Sequence, residues 1–420
     1  MKQAAVIGFG CAGYSAALAL RQVSPDAVIH IYSDTEEAPY NPMLTTYYVS
    51  GKIDEKAMFP LGDLDCAAKT LGAEIFRSSP VARLKAAERE IVLADGSSRK
   101  YDEIVIASGA SAVIPPVGPL PEKGIFTMRT ASDARRLEKA LDGSVRSALV
   151  VGAQMVGIKV VELLTKRGIQ TTLADMAPQM FPASAYETTA AIIAKRLESA
   201  GVKLLLGSPL FAVTETEDGL SCLFSSGESV EADIVIFCSG IRPNISFVDK
   251  NEIEVGYGIK TDLRMQTSVP HIYAAGDCCE TENILGGGTA YIGLWANSAM
   301  QGRTAGSNMG GVPAEYPGNL IQNITHYMDT DFISVGDVKA PGERVFWTAP
   351  DGSWRIEATL ADGKIVALNI LDKAALSGPV KNLLLHRAAH PGATMTEAGK
   401  LILARESIPA DIIRKLGGEQ

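Results

Sequence analysis

Apolar residues along the chain fall into short runs that end in glycine or an acid. These alternate with stretches in which small and apolar residues recur at helical spacing. The opening unit is Ala4 to Asp34. An apolar strand, Ala4–Ile7, leads into the turn Gly8-Phe9-Gly10-Cys11-Ala12-Gly13. A small-residue helix (Tyr14–Gln22), a second apolar strand (Val28–Tyr32) and an acid, Asp34, follow. A second unit repeats the pattern from Ser147: strand Ala148–Val151, turn Gly152-Ala153-Gln154-Met155-Val156-Gly157, helix Ile158–Arg167, strand Gln170–Ala174 and acid Asp175. Strand, crossover helix and parallel strand in repetition predict an α/β protein with two Rossmann-like nucleotide-binding domains.

The remaining pattern fills in around these units. Asp63–Leu71 reads as helix, and Glu74–Phe76, Val81–Leu84 and Ile91–Leu93 as strands, the last ahead of an Asp95-Gly96 turn. The apolar run through Tyr101–Ala110 ends in small residues, and the proline-rich Ser111–Pro121 reads as a linker. In the second unit, Thr188–Ala200 reads as helix, Val202–Leu206, Phe211–Thr214 and Leu220–Phe224 as strands, and Ala232–Asn244 as a closing apolar run. The chain then returns with a strand at Ile272-Tyr273-Ala274-Ala275-Gly276-Asp277 and a helix over Gly293–Gly306. Beyond Glu315 the glycine turns thin out. Asp331–Val335, Val345–Trp347, Trp354–Leu360 and Lys364–Asn369 read as strands; Val380–Ala389, Thr396–Ala404 and Ala410–Leu416 read as helices. The expected domains are 1–111 with 241–314, then 112–240, then an α+β domain over 315–420.

Composition narrows the function. The 420 residues are 46% hydrophobic with a net charge of −9, which suits a globular protein and argues against a general nucleic-acid binder. No later segment has the roughly 18 uncharged apolar residues of a membrane span. Gly8, Gly10 and Gly13 make the N-terminal run a nucleotide turn in preference to a signal peptide. A cytoplasmic protein without membrane or nucleic-acid partners is expected. The six cysteines include no C-x-x-C pair and no metal-ligand spacing, so reduced, mostly buried thiols and no metal are expected; Cys278-Cys279 is the one adjacent pair.

The candidate chemistry lies in the turns. Gly8 permits a tight turn off the strand, Gly10 lets a pyrophosphate approach the backbone, and Gly13 lets the helix pack on the strand. The helix N-terminus offers unpaired N–H groups to phosphates. Asp34 lies about 20 residues beyond the last glycine, where a carboxylate can hold a ribose hydroxyl. In the second turn Gln154 replaces the middle glycine, so the fold signal survives while the binding signal weakens. The stretch Thr35–Tyr48 begins as a loop and is either a wall of the reactive site or a packing loop. Glu280–Thr289, with Gly286-Gly287-Gly288, is either a mobile edge or a flexible turn.

Four motifs together resemble the FAD-dependent pyridine-nucleotide oxidoreductases: the Gly8–Gly13 turn, Tyr101-Asp102-x-x-Val105-Ile106-Ala107-Ser108-Gly109, the altered Gly152–Gly157 turn, and Gln266–Asp277. That family includes rubredoxin and ferredoxin reductases, the flavin domain of nitrite reductase, NADH oxidase and coenzyme A–disulfide reductase. The resemblance implies that the first turn binds FAD, with Asp34 or Glu36 at the ribose, Val81 by the adenine, and Pro42, Ala107, Gly109 and Gly276 close to the cofactor. It implies that Asp277 bonds the ribityl chain and that the helix after Gly293, through Ala296, points its N-terminus at the flavin. It also implies an NADH site at Gly152, Gln154, Gly157, Asp175 and Gly240, and a homodimer through the third domain. Tyr47, Tyr48, Tyr291 and Trp295 either shield the flavin or are core.

Three departures stand out. Met43 occupies the position of the redox cysteine in the disulfide-reducing members, and a thioether forms neither thiolate nor disulfide. Asn41 stands where rubredoxin- and nitrite-reductase-like members carry Lys or Arg, and Gln154 and Lys159 stand where Gly and Glu are common. The resulting expectation is an NADH:acceptor flavoenzyme without a redox cysteine, whose acceptor is a redox protein or a small molecule. Tyr47 and Lys159 are the catalytic candidates. The alternatives are a repurposed nicotinamide site, reduced by a partner protein or acting on an anionic substrate, and a non-catalytic flavin subunit of a complex.

Overall fold

The structure is a computed structural model that describes residues 1–390 and 392–418. The opening unit forms a five-stranded parallel sheet in the order Ile272–Ala274, Glu103–Ile106, Gln3–Ile7, Val28–Tyr32, Glu74–Phe76. Ile7 lies between Tyr32 on one side and Ile106 on the other, so three strands end level beside the glycine turn. Both faces of this sheet are covered: Ala4, Ala5, Val6, Ile104, Val105 and Ile106 are fully buried, as continuous apolar strands of a parallel sheet require. The second unit repeats the arrangement, in the order Lys203–Leu206, Gln170–Asp175, Ser147–Val151, Ile234–Phe237, Ile125–Thr127. The C-terminal part is an antiparallel five-stranded sheet, Gln322–Tyr327, Thr330–Gly336, Lys364–Leu371, Arg355–Ala361, Glu343–Thr348. Its helices are Ser377–Ala389, Glu397–Arg405 and Ala410–Gly417. The fold is the expected one: tandem Rossmann-like nucleotide-binding units and a C-terminal α+β unit.

The chain crosses between the units where Ala110–Ala112 pairs antiparallel with Ile241–Pro243. The start of the expected linker is therefore a strand. Both signature helices begin inside their glycine turns, at Cys11–Val23 and Met155–Lys166, because Gly10 and Gln154 are extended and serve as the residues before the first turn. Strand Ile125–Thr127, helix Ala131–Ala140 and strand Gln322–Tyr327 are additional to the elements expected from the pattern. That helix carries a capping box, in which the Thr130 hydroxyl accepts from the Asp133 N–H and the Asp133 carboxylate accepts from the Thr130 N–H. The segment Glu280–Thr289 is no plain loop but a hairpin pairing Cys279–Glu282 with Thr289–Tyr291.

One packing contact positions the site. Helix Cys11–Val23 lies against helix Trp295–Met309 with almost no side chain between them. A Cβ on Gly302 would fall 2.3 Å from the Ala12 carbonyl oxygen, and one on Gly306 2.1 Å from that of Ala16. Small residues on both helices allow this approach and bring their N-terminal ends to the same edge of the first sheet.

Candidate functional site

The three glycines of the first turn do different work. Gly8 has φ +105°, and a Cβ there would sit 2.2 Å from the Ala107 carbonyl oxygen. A Cβ on Gly13 would sit 2.1 Å from the Gly8 carbonyl oxygen. Gly10 is exposed, and its missing side chain opens onto space with no heavy atom within 4 Å. Two glycines thus close the turn and the third leaves a cradle at the helix N-terminus, the place where backbone N–H groups and the helix dipole attract an anion. A cleft of about 550 Å³ adjoins it, lined in part by Gly8, Asp34, Val81, Ser108 and Asn244. Asp34 is exposed on this cleft, whereas Glu36 is committed to Arg77 (3.0 Å) and Ser78. Of the two acids, Asp34 is therefore the one left open to the cleft. Ala107 is buried against the turn; Gly109 takes φ +68° with open space beside it. This cradle and cleft fit a dinucleotide pyrophosphate and its adenosine.

Gly276 and Asp277 end the strand of the returning chain. The Gly276 N–H donates to Gln301 Oε1 at 2.8 Å, and φ +82° at Gly276 brings this turn against Ala12. The Asp277 carboxylate accepts from Ser298 Oγ (3.2 Å) and from Arg129 Nη2 (2.6 Å). Arg129 comes from the second unit and also donates to the Ala110 carbonyl at 3.1 Å, so it ties the two units together at Asp277. Sequence reasoning missed Arg129; the Thr130-x-x-Asp133 capping signature beside it was the available signal. Helix Trp295–Met309 begins nearby, with no side chain capping its N-terminus and with Ala296 exposed in its first turn.

The loop over residues 35–48 is more ordered than its prolines suggest. Asn41 Oδ1 accepts from the Met43 N–H at 3.0 Å and starts a short 3-10 turn, Pro42–Leu44, which runs into helix Thr45–Val49. Met43 is 58% exposed. Tyr47 and Lys159 do come together, with the ammonium 5.3 Å from the ring centroid. Lys159 pairs with Glu162 and donates to the His326 carbonyl at 2.7 Å, so two of its three donors are engaged. Lys52 and Lys166 also face Glu162, at 3.9 and 2.8 Å. Burial alone would raise the Glu162 carboxyl, but hydrogen bonds from Lys159 and Lys166 outweigh it and hold it down at about 2. The cluster joins helix Thr45–Val49, helix Met155–Lys166 and strand Gln322–Tyr327.

The second turn copies the first with one change. A Cβ on Gly152 would fall 2.3 Å from the Cys238 carbonyl oxygen, and one on Gly157 1.8 Å from that of Gly152. Gln154 occupies the place of Gly10, and its side chain does not cap the helix. The Asp175 carboxylate accepts from the Ala153 N–H (2.7 Å) and the Ala177 N–H (2.8 Å), fixing it against the turn. Gly240 has φ +109° and open space beside it.

All six cysteines are free. Burial pushes the thiols of Cys11 and Cys278 up to about 11 and that of Cys279 well above its usual value, which leaves them protonated and inert. Only Cys66 is exposed. Among the described residues no group of His, Cys, Asp and Glu is arranged to hold a metal, and no helix is long and apolar enough to cross a membrane.

Two glycine-turn units sharing an interdomain seam, with no reactive thiol in it, define a dinucleotide-dependent oxidoreductase that does not work through a disulfide. The chain belongs to the pyridine nucleotide-disulphide oxidoreductase family, whose model matches residues 2–302. It is 30% identical over 390 residues to the epsilon subunit of NADH-dependent phenylglyoxylate dehydrogenase of Aromatoleum evansii, covering 91% of each chain. It is 29% identical over 320 residues to an NADH oxidase of Methanocaldococcus jannaschii, covering 75% of this chain and 71% of that one. The putidaredoxin reductase–putidaredoxin complex superposes with a TM-score of 0.86 over 100% of this chain and 99% of that one, at 21% identity, a likeness of fold. The protein is an FAD-dependent pyridine-nucleotide oxidoreductase that lacks the disulfide-forming cysteine pair.

Proposed function

We propose that the chain takes reducing equivalents from NADH onto FAD and delivers them to a separate acceptor, a redox protein or a small molecule. Bound FAD would supply the chemistry: it accepts a hydride and gives up electrons in one or two steps. The chain's own residues hold and orient. Gly10 and the N-terminus of helix Cys11–Val23 seat the pyrophosphate, Asp34 and Val81 the adenosine, and Asp277 the ribityl chain, with Pro42, Ala107, Gly109 and Gly276 alongside. The exposed first turn of helix Trp295–Met309, at Ala296, directs its positive dipole end to the flavin and favours negative charge on it. Gly152, Gln154, Gly157 and Gly240 form the nicotinamide-nucleotide site, and the tethered Asp175 carboxylate favours NADH by repelling a 2′-phosphate. The observation that carries the reading is the open Gly10 cradle beside the cleft, paired with a second such turn in the neighbouring unit.

The reading extends to domains at 1–111 with 241–314 for FAD, 112–240 for NADH and 315–420 for a homodimer contact, in a cytoplasmic protein. Its test is a panel of acceptors under NADH: rubredoxin, ferredoxin, oxygen, a quinone and a disulfide. Turnover with iron carriers, oxygen or quinone and none with the disulfide is expected; disulfide reduction as the fastest reaction would overturn it. A second reading has a specific support, since the Aromatoleum evansii relative is a subunit of a larger enzyme and matches over 91% of both chains. Here the flavin would exchange electrons with a partner subunit, and a stable complex recovered from the native source would distinguish it.

A further inference from the structure

A surface recess opens between helix Thr45–Val49 and helix Met155–Lys166, lined in part by Tyr47, Ser50, Lys52, Lys159, Glu162 and Lys166. Its free volume is about 10 Å³, room for one water-sized group. The lining carries three ammoniums and a single carboxylate. Glu162 is its most buried member, at 4% exposed, and both of its oxygens are taken: Lys159 bonds one and Lys166 the other, at 2.8 Å. Lys52 is left over. Its ammonium stands 3.9 Å from Glu162, outside hydrogen-bond range. Lys52 and Lys159 each lie 5.3 Å from the centroid of the Tyr47 ring, so the two ammoniums flank one side chain. Lys52 and Lys166 are about half exposed, yet both turn to Glu162 and not outward to solvent. One carboxylate balances one ammonium, so the recess keeps an excess of positive charge at neutral pH on a chain whose net charge is −9. A further carboxylate completes this set. It is planar, brings one negative charge, and presents two oxygens that each accept from an ammonium. One oxygen fills the recess and the other stays at its mouth, whereas a tetrahedral phosphate needs more room than the recess gives.

We propose that this recess binds the carboxylate of a small organic acid, held by Lys52, Lys159 and Lys166. The site lies outside both glycine turns, so it adds a ligand to the electron-transfer reading and does not depend on it. The test uses the whole chain, titrated at fixed ionic strength with fluoroacetate and with fluoroacetamide, its uncharged match, and followed by fluorine NMR. Saturable binding of the acid and none of the amide are expected. Lys52→Gln is expected to raise the dissociation constant of the acid about fivefold, the worth of one charge-assisted hydrogen bond partly open to water. Its fold is spared, because Lys159 and Lys166 still cover Glu162, and a thermal melt close to that of wild type checks this. Lys195→Gln removes the same charge from helix Glu187–Ser199 and is expected to leave the affinity unchanged. No saturable binding of the acid, equal binding of the amide, an unchanged affinity in Lys52→Gln, or an equal loss in Lys52→Gln and Lys195→Gln overturns the proposal.

Discussion

Replacing Gly10 by valine separates binding from folding. Gly10 has φ −87° and ψ −165°, extended backbone open to any residue, and no heavy atom lies within 4 Å of the Cβ it would gain. The folding cost is confined to the poorer preference of valine at a helix N-cap, about 1 kcal/mol. The same branched side chain fills the cradle over the helix N-terminus, where a pyrophosphate must reach the N–H groups. A loss of at least about 2.7 kcal/mol, a hundredfold in FAD affinity, is expected. Gly8→Ala gives the opposite pattern. Its Cβ would strike the Ala107 carbonyl oxygen at 2.2 Å at φ +105°, so strain and overpacking of about 3 kcal/mol or more fall on the fold itself. The assay is FAD titration of the deflavinated chains by flavin fluorescence, with a thermal melt of each without FAD. Gly10→Val binding FAD within threefold of wild type, or melting as low as Gly8→Ala, would refute the assignment of the cradle.

Other outcomes follow from the same contacts. Arg129→Ala should weaken the chain by about 2 kcal/mol in chemical denaturation, since it leaves the mostly buried Asp277 without its cation at 2.6 Å. Glu162 is 4% exposed, and its carboxyl lies at about 2 in the folded chain against an ordinary 4.5. Because the folded value is the lower one, its stabilisation is present above about pH 4.5 and is lost as the pH falls toward 2. Wild type should therefore lose about 2 kcal/mol more than Glu162→Gln between pH 6 and pH 2.5, read from denaturation midpoints. A thiol reagent should label Cys66 rapidly and the five buried cysteines only on unfolding, with NADH-dependent turnover unchanged by the first label. NADH should exceed NADPH in kcat/KM by at least about tenfold, the discrimination expected of a fixed carboxylate at the ribose.

Both nucleotide units were legible because each is locally specified: apolar strand, glycine positions, helix and acid fall in one short segment, and the fold follows from their spacing. The sheet-to-turn contacts at Gly8 and Gly152 repeat the same geometry for the same reason. What escaped the sequence is non-local. Arg129 reaches Asp277 only because the chain crosses between units at Ala110–Ala112, and no pattern around residue 129 signals its partner 148 residues away. The contact of Tyr47 with Lys159 is likewise invisible in the sequence, where 112 positions separate the two. In the structure Lys159 lies over the Tyr47 ring and meets Glu162 and the His326 carbonyl, on three elements distant in sequence. The strand Gln322–Tyr327 was missed because its alternation is polar, with half its side chains turned outward.

The central claim is that NADH and flavin meet in this chain and that electrons then leave without a thiol. Its most direct test is anaerobic titration of the purified, FAD-loaded protein with NADH, followed at the oxidised flavin band near about 450 nm. Full bleaching at one NADH per flavin, unchanged after the exposed Cys66 thiol is blocked, is the expected result. A flavin that stays oxidised with NADH and with NADPH alike, or that bleaches only while the Cys66 thiol is free, would contradict the account.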